Sequence, residues 1–393
     1  MKLRQQRAHL VSRRGLAILT LLIVVTVSAW PDRSALAQDG PQSIRAEVVE
    51  ILEEGVTTVG PLTQPYQRLL VELRSGEQAG KRVPVEIGVI DVNRGGQRYE
   101  PGDEVYVTYA PATGPGQQDY YIITDRVRTT PLLVLGTLFV VAIVLLGRWQ
   151  GVRSLVGLAL TFAVIVWYLI PRILEGANPV LTSIAAAFVI FSLTLVLVHG
   201  IGRMTLSAIA GTTLSLILSG ILAWVFVRVS YLTGLASEEA TLVQVAAGGT
   251  LNAQGLLLGS VIIGALGVLD DVTVSQSSTI FELRRANPEL TIRQLFAAGV
   301  RVGRDHIAAT VNTLVLAYVG AALPLLILFT QSNQPLLHII NREIVAEEIV
   351  RTLVGSLGLI SAVPLTTGIA SWLAVRTRHT LLEGQEGRHV HRH

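Results

Sequence analysis

Two hydropathic rhythms divide the chain. From Gln38 to about Thr129, apolar and polar residues alternate in short stretches: RAEVVEILEE (Arg45 to Glu54), YQRLLVELRSG (Tyr66 to Gly76), KRVPVEIGV (Lys81 to Val89), DEVYVTYAP (Asp103 to Pro111) and DYYIITDRV (Asp119 to Val127). Period-two alternation buries one face of a strand, and the Gly, Pro and Asn between the stretches are turn formers, so five short strands are predicted. That number of strands fits a small β-barrel, with the open OB type as one form. From Pro131 the alternation stops. Apolar runs follow at Pro131 to Gly147, Leu155 to Leu174, Pro179 to Val198, Thr205 to Val229, Leu251 to Asp271, Ile307 to Phe329 and Leu353 to Val375. Most approach the ~20 residues a helix needs to cross ~30 Å of hydrocarbon. Backbone polar groups in lipid must be satisfied within the segment, and none of these runs alternates like a barrel strand, so seven spanning helices are predicted.

The first 37 residues read differently again. Lys2, Arg4, Arg7, Arg13 and Arg14 precede an apolar run from Gly15 to Trp30, and Ala35-Leu36-Ala37 offers a small-x-small cleavage site. A cleavable secretory signal and an uncleaved anchor both fit. The predicted organisation is therefore a signal or anchor (1–37), an extracytoplasmic β-rich domain (38–129), a seven-helix transmembrane domain (130–378) and a flexible cytoplasmic tail (379–393). Composition agrees: half the residues are apolar and 15% are charged. The chain has no cysteine, which excludes disulfides, iron–sulfur clusters and thiolate chemistry.

Arginine placement gives a topology. Arg148, Arg153, Arg203, Arg284, Arg285, Arg293, Arg301, Arg304, Arg376, Arg378, Arg388 and Arg392 fall in the loops and tail that are cytoplasmic if the β-rich domain is outside, against Arg172, Arg228 and Arg342 in the others. The positive-inside rule then predicts a multi-pass protein of the inner (cytoplasmic) membrane, with the β-domain outside and the C-terminus in the cytoplasm. This clustering beside apolar runs is a topology signal and no nucleic-acid footprint. The histidines of GRHVHRH sit on a solvated tail without fixed geometry, so no metal site is expected there.

The candidate chemistry lies between Gly255 and Gly320. Asp270 and Asp271 close one apolar run and Asp305 opens the next. Ionisable groups beside or inside a bilayer are costly unless paired or solvated, which makes this stretch the default functional site. Positions three and four apart share a helix face, so Gly264, Gly267, Asp271, Ser275, Ser278 and Glu282 form one stripe. If the helix begins near Leu251, Asp271 lies at the inner interface; if Arg284 and Arg285 mark that interface, it lies ~20 Å deeper. Asn287-Pro288 breaks the pattern, and Thr291 to Gln294 has the form of a capping box opening a short amphipathic helix or a plain connector. Asp305 is placed to pair with Arg301 and Arg304, and Asn312 and Thr313 lie farther along the same helix. Pro324 and Pro364 should kink the last two helices.

At GALGVLDDVTVSQSSTIFEL (Gly264 to Leu283), RVGRD (Arg301 to Asp305) and AATVNTLVLAYVGAALPLL (Ala308 to Leu326) the chain resembles the YibE/F family of bacterial multi-pass membrane proteins. That resemblance implies the seven-span fold and no established activity. An acid near the end of a glycine-rich span, followed by an amphipathic connector and Asn-Thr in the next, is also similar to SecD/SecF-type proton-driven permeases. The leading expectation is a permease or export-type factor with a proton- or hard-cation-linked site formed by Asp270, Asp271, Ser275, Ser278, Asp305, Asn312 and Thr313, supported by Arg301 and Arg304. Such oxygens suit protons or hard cations better than soft metals, and no cofactor is expected. The alternative is a non-transporting scaffold or assembly factor that presents the β-domain to a membrane partner or a second copy. No HExxH or GxSxG motif supports an enzyme.

Overall fold

The computed structural model of the protein describes residues 43–59, 62–88, 97–110, 120–331 and 334–376; the expected signal or anchor and the tail lie outside them. The chain divides into two compact units after Leu146. The first carries five antiparallel strands, β1 (Ser43–Val59), β2 (Leu62–Leu73), β3 (Arg82–Ile87), β4 (Glu104–Ala110) and β5 (Tyr120–Arg126), in the order β3-β2-β1-β4-β5. Every predicted strand is present. Inward positions recur at every second residue: Ala46 and Val48, Leu69, Val71 and Leu73, Val83 and Val85, Val105 and Val107 form one core. The long β1 pairs with β2 along its length and with β4 only at its start, and the pairing with β2 shifts register between Val48 and Glu50 and between Ile51 and Glu53. Such bulges bend a strand and increase its twist, which curls this sheet into half a barrel. Gln67 extends the pattern with a side chain: its amide donates to the Tyr99 carbonyl at 3.1 Å and accepts from the Tyr99 N–H at 2.8 Å. Truncating Leu69, fully buried at the sheet centre, is expected to destabilise this unit by about 3 kcal/mol. The denaturant dependence of proteolytic cleavage between residues 43 and 126 of the full chain measures it.

The second unit is helical. Its helices are α1 (Thr129–Leu174, which begins in the first unit), α2 (Pro179–His199), α3 (Arg203–Val229), α4 (Glu238–Ala246), α5 (Ala253–Ala286), α6 (Ile292–Ala321), α7 (Leu323–Gln331), α8 (Leu336–Ile340) and α9 (Glu343–Val375). Among the described residues five helices are long and apolar enough to cross a membrane, α1, α2, α3, α5 and α9, and α6 with α7 makes a sixth span bent by 64°. The expected count of seven is met only in part: the first two apolar runs both fall within α1, on either side of a break in its helical backbone. Within α1, Arg148 interrupts the helical backbone with φ 48° and ψ −127°, a conformation that side-chain-bearing residues rarely adopt. Ile165–Leu169 forms a π-helical turn farther on.

The helix ends follow the sequence closely. Asn178 caps α2 ahead of Pro179, Asn252 caps α5, and Thr291 and Gln294 form the reciprocal capping box that opens α6. Two boundaries differ from expectation. α5 continues well beyond Asp271, because Thr273, Gln276 and Ser277 are buried against neighbouring helices and only look like the end of a span by hydropathy. The surface turn at Ile292 is no separate element but the first turn of α6. Of the two proline kinks, the one at Pro324 is realised as the break between α6 and α7, where proline has no N–H to bond the preceding turn. α9 runs unbroken through Pro364. The core lies where α2, α3, α5 and α9 meet, with Phe191, Leu216, Ile262, Leu269 and Leu359 nearly fully buried. Arg228 lies over Trp224 at 4.4 Å and Arg376 over Trp372 at 3.9 Å, amphipathic pairs suited to helix ends at a membrane–water boundary.

Candidate functional site

Asp270 lies midway along α5, sixteen residues before its end at Ala286. Its side chain lines a cleft of about 240 Å³ between α5, α1 and α2, together with Ser154, Gly157 and Thr161 of α1 and Thr194 and His199 of α2. The Thr161 hydroxyl donates to the Gly157 carbonyl at 3.0 Å and that of Thr194 to the Ile190 carbonyl at 2.9 Å. Both hydroxyls thus spend their hydrogens on backbone and keep oxygen lone pairs for an incoming donor. The narrow approach of α1 to α2 depends on Gly157, where an added Cβ would lie 3.3 Å from the Thr194 methyl. Asp270 is half-buried and makes no ion pair with a described residue. A carboxylate, a ring of hydroxyl oxygens and a histidine in one cleft can hold a proton or a hard cation. Among the described residues no three His, Asp or Glu side chains converge as a metal centre.

Asp271 points elsewhere. Its side chain is 76% exposed on the outer face of α5, with His306 Nε2 of α6 at 3.8 Å. Ser275, Asp305, Asn312, Thr313, Arg301 and Arg304 are also exposed, and Ser278 is half-buried. The predicted stripe from Gly264 to Glu282 is real, but it is the face of α5 left uncovered by the described helices. The expected partners of Asp271 were Asp305 and Asn312; the structure brings His306 to it instead. The expected pairing of Asp305 with Arg301 or Arg304 is not formed among the described residues; the arginines that pair on α5 and α9 are Arg285 with Glu282 and Arg351 with Glu348. The Asp270-Asp271 pair therefore splits, one acid into the cleft and one out of the bundle, since adjacent helical residues point about 100° apart.

Sequence reasoning missed His199, His306 and the hydroxyls of α1 and α2, each a lone polar residue at the end of or within an apolar run. It also missed a polar seam along α3. Ser207 and Ser277 hydroxyls are 2.9 Å apart, Thr212 and Thr273 hydroxyls 2.6 Å apart, and all four residues are fully buried between α3 and α5. In apolar surroundings such hydroxyl pairs hold helices in register. A count of serines and threonines facing one way on α3 (Ser207, Thr212, Ser215 and Ser219) was the available signal.

A curled antiparallel sheet joined to a bundle of long apolar helices with an acid in an internal cleft defines a polytopic helical membrane protein. The chain belongs to the YibE/F family: the family profile described as YibE/F-like protein matches residues 135–376, well over half of the chain. No curated protein and no solved structure matches it, so the likeness to SecD/SecF gains no support from them.

Proposed function

We propose that this protein is an inner-membrane permease or export-type factor whose work is linked to a proton or hard cation at Asp270. The observation that carries this is a half-buried carboxylate at the midpoint of a long apolar helix, facing a cleft lined by hydroxyls and free of any ion pair with a described residue. A purely structural aspartate in that setting would be paired, because an unpartnered charge in low dielectric is costly. Asp270 replaces Asp271 as the central group, and His199 joins it at the end of α2. In the topology that the arginines favour, the break at Arg148 divides α1 into two crossings, giving seven spans, an outer OB-like barrel and an inner C-terminus. The test is charge removal at Asp270 with proton or sodium uptake measured in proteoliposomes.

The scaffold reading keeps one specific observation. Asp271, Ser275, Asn312 and Thr313 leave an uncovered polar face on α5 and α6, which another membrane protein or a second copy would cover. A scaffold keeps its function when Asp270 is neutralised, whereas a permease loses flux.

A further inference from the structure

Around α9, where it meets α3 at Ser219 and Thr366 and α6 at Thr367, lie oxygen atoms that nothing in the fold uses. Ser219 Oγ, Thr366 Oγ1, Thr367 Oγ1, Ser371 Oγ, Gln276 Oε1 and Glu347 Oε1 are all buried without a hydrogen-bond partner. Their residues are at most 8% exposed, and Ser219, Thr366, Thr367 and Ser371 are fully enclosed. A hydroxyl in a transmembrane helix ordinarily donates to the carbonyl one turn back, as Thr161, Thr213 and Ser215 do. These do not, and a buried polar group left unmatched destabilises by roughly 1–3 kcal/mol. Several around one helix call for a reason other than packing.

The atoms are ordered along the bundle. A Cβ on Gly358 would meet Ser219 Oγ, and one on Gly211 would meet Thr366 Oγ1, so α3 and α9 run antiparallel with Ser219 opposite Gly358 and Gly211 opposite Thr366, eight residues apart on each helix. That register carries Ser207, already bonded to Ser277 of α5, opposite Ala370, next to Ser371. It carries Thr212, bonded to Thr273, opposite Leu365, next to Thr366. Thr273 in turn donates to the Asp270 carbonyl at 3.2 Å, so the seam reaches the turn of α5 that holds the cleft acid. At the other end stands Glu347 in the second turn of α9, about 30 Å from Thr366 by helical rise. Its Oε1 is buried without a partner. Glu343, one turn earlier, takes the Thr233 and Gly234 N–H groups, and Glu348 is held by Arg351 at 2.5 Å. Of the three acids at this helix start, Glu347 alone is buried with an oxygen to spare. The helix dipole explains acids near the N-terminus, but it does not require one to be buried there.

We infer that this seam is the second half of the ion route: Glu347 is the port at the end of the bundle remote from the Asp270 cleft, and Ser219, Thr366, Thr212 and Thr273 pass a small hard cation, the proton included, between them. This rests on the reading of Asp270 as the ion-linked acid. Close packing at Gly211 and Gly358 makes the described state the closed one, and water or the ion satisfies the spare oxygens when α9 moves off α3.

The chain contains no cysteine, so single thiols report cleanly. Ser219→Cys, Thr366→Cys and Ser371→Cys are near-isosteric; Ala187→Cys, fully buried in the apolar core, is the control. In proteoliposomes of the full chain, a membrane-impermeant cationic methanethiosulfonate is expected to label the seam thiols roughly tenfold or more faster than the control, since a thiol in dry apolar packing stays protonated and inert. Labelling no faster than Ala187→Cys overturns the route. Adding Glu347→Gln should slow the labelling of Ser219→Cys; an unchanged rate removes Glu347 as the port. Slowing of the same reaction by sodium over choline at fixed pH assigns a metal ion, and indifference to sodium assigns the proton. Labelling does not depend on flux. Reactive seam thiols with unaltered flux in Asp270→Asn would sink the cleft reading alone, and silent thiols with a flux-dead Asp270→Asn would sink only the seam.

Discussion

Asp270→Asn is expected to abolish gradient-driven uptake while leaving a folded, monodisperse protein. The amide matches the carboxylate in size and shape, so the cleft between α1, α2 and α5 keeps its lining, and the half-exposed position leaves room for two added hydrogens. What changes is the ability to take up and release a proton or to neutralise a cation. Positioned proton transfer contributes about a hundredfold or more to a rate, so a loss of at least that size is expected. Proteoliposomes loaded with a pH-sensitive dye, under an imposed potential and with and without sodium, give the number. Asp271→Asn is the natural comparison, because it removes the same charge one residue away on a face that is 76% exposed. It should retain most of the flux. Equal loss in both would mean that the cleft is not the determinant, and wild-type flux in Asp270→Asn would discard the proposal.

Gly211→Val is expected to cause a large loss of stability. An added Cβ at Gly211 would overlap the Thr366 hydroxyl and come within 3.0 Å of its backbone Cα. A side-chain tip can rotate away; backbone cannot, so α3 and α9 must separate along their contact. Overpacking of this kind costs about 1–3 kcal/mol in ordinary cores and more where no rotamer relieves it. A β-branched residue in a helix has one favoured rotamer, which removes the escape. Thermal unfolding in detergent should show a fall of several degrees or outright failure to accumulate. Gly267→Ala supplies the contrast: nothing lies within 4 Å of its added Cβ, and it should be neutral or slightly stabilising. Similar melting temperatures for the two variants would contradict the close α3–α9 packing.

How much of this could be read beforehand depends on which force shaped each part. The strands were legible because Val48, Leu69, Val85 and Val107 recur at period two, and the sheet's burial pattern is that alternation. The capping box at Thr291 was legible because its bonds are local. The end of α5 was not. Thr273, Gln276 and Ser277 look like the exit from a bilayer until α3 is placed beside them, and nothing in the linear sequence says that their oxygens face a neighbouring helix. Direction defeated the site assignment for the same reason. The Asp270-Asp271 pair marks the turn of α5 that borders the cleft, but which acid turns inward is decided by the packing of α1 and α2 against α5, a long-range fact. His199, which lines the cleft, and His306, which meets Asp271 on the outer face, carry no local signature at all.

Because α6 begins with the capping box and continues without interruption to Ala321, the turn around Ile292 and Phe296 and the stretch bearing His306 and Asn312 are one rigid rod of about 45 Å. Its first half is packed into the bundle, with Leu295, Gly299 and Gly303 buried beside Ile280, Gln276 and Val363. Its other end, mostly exposed, meets α7 at the 64° bend. A load applied at that bend is therefore carried down the rod, past His306 and Asp271, into the anchored half.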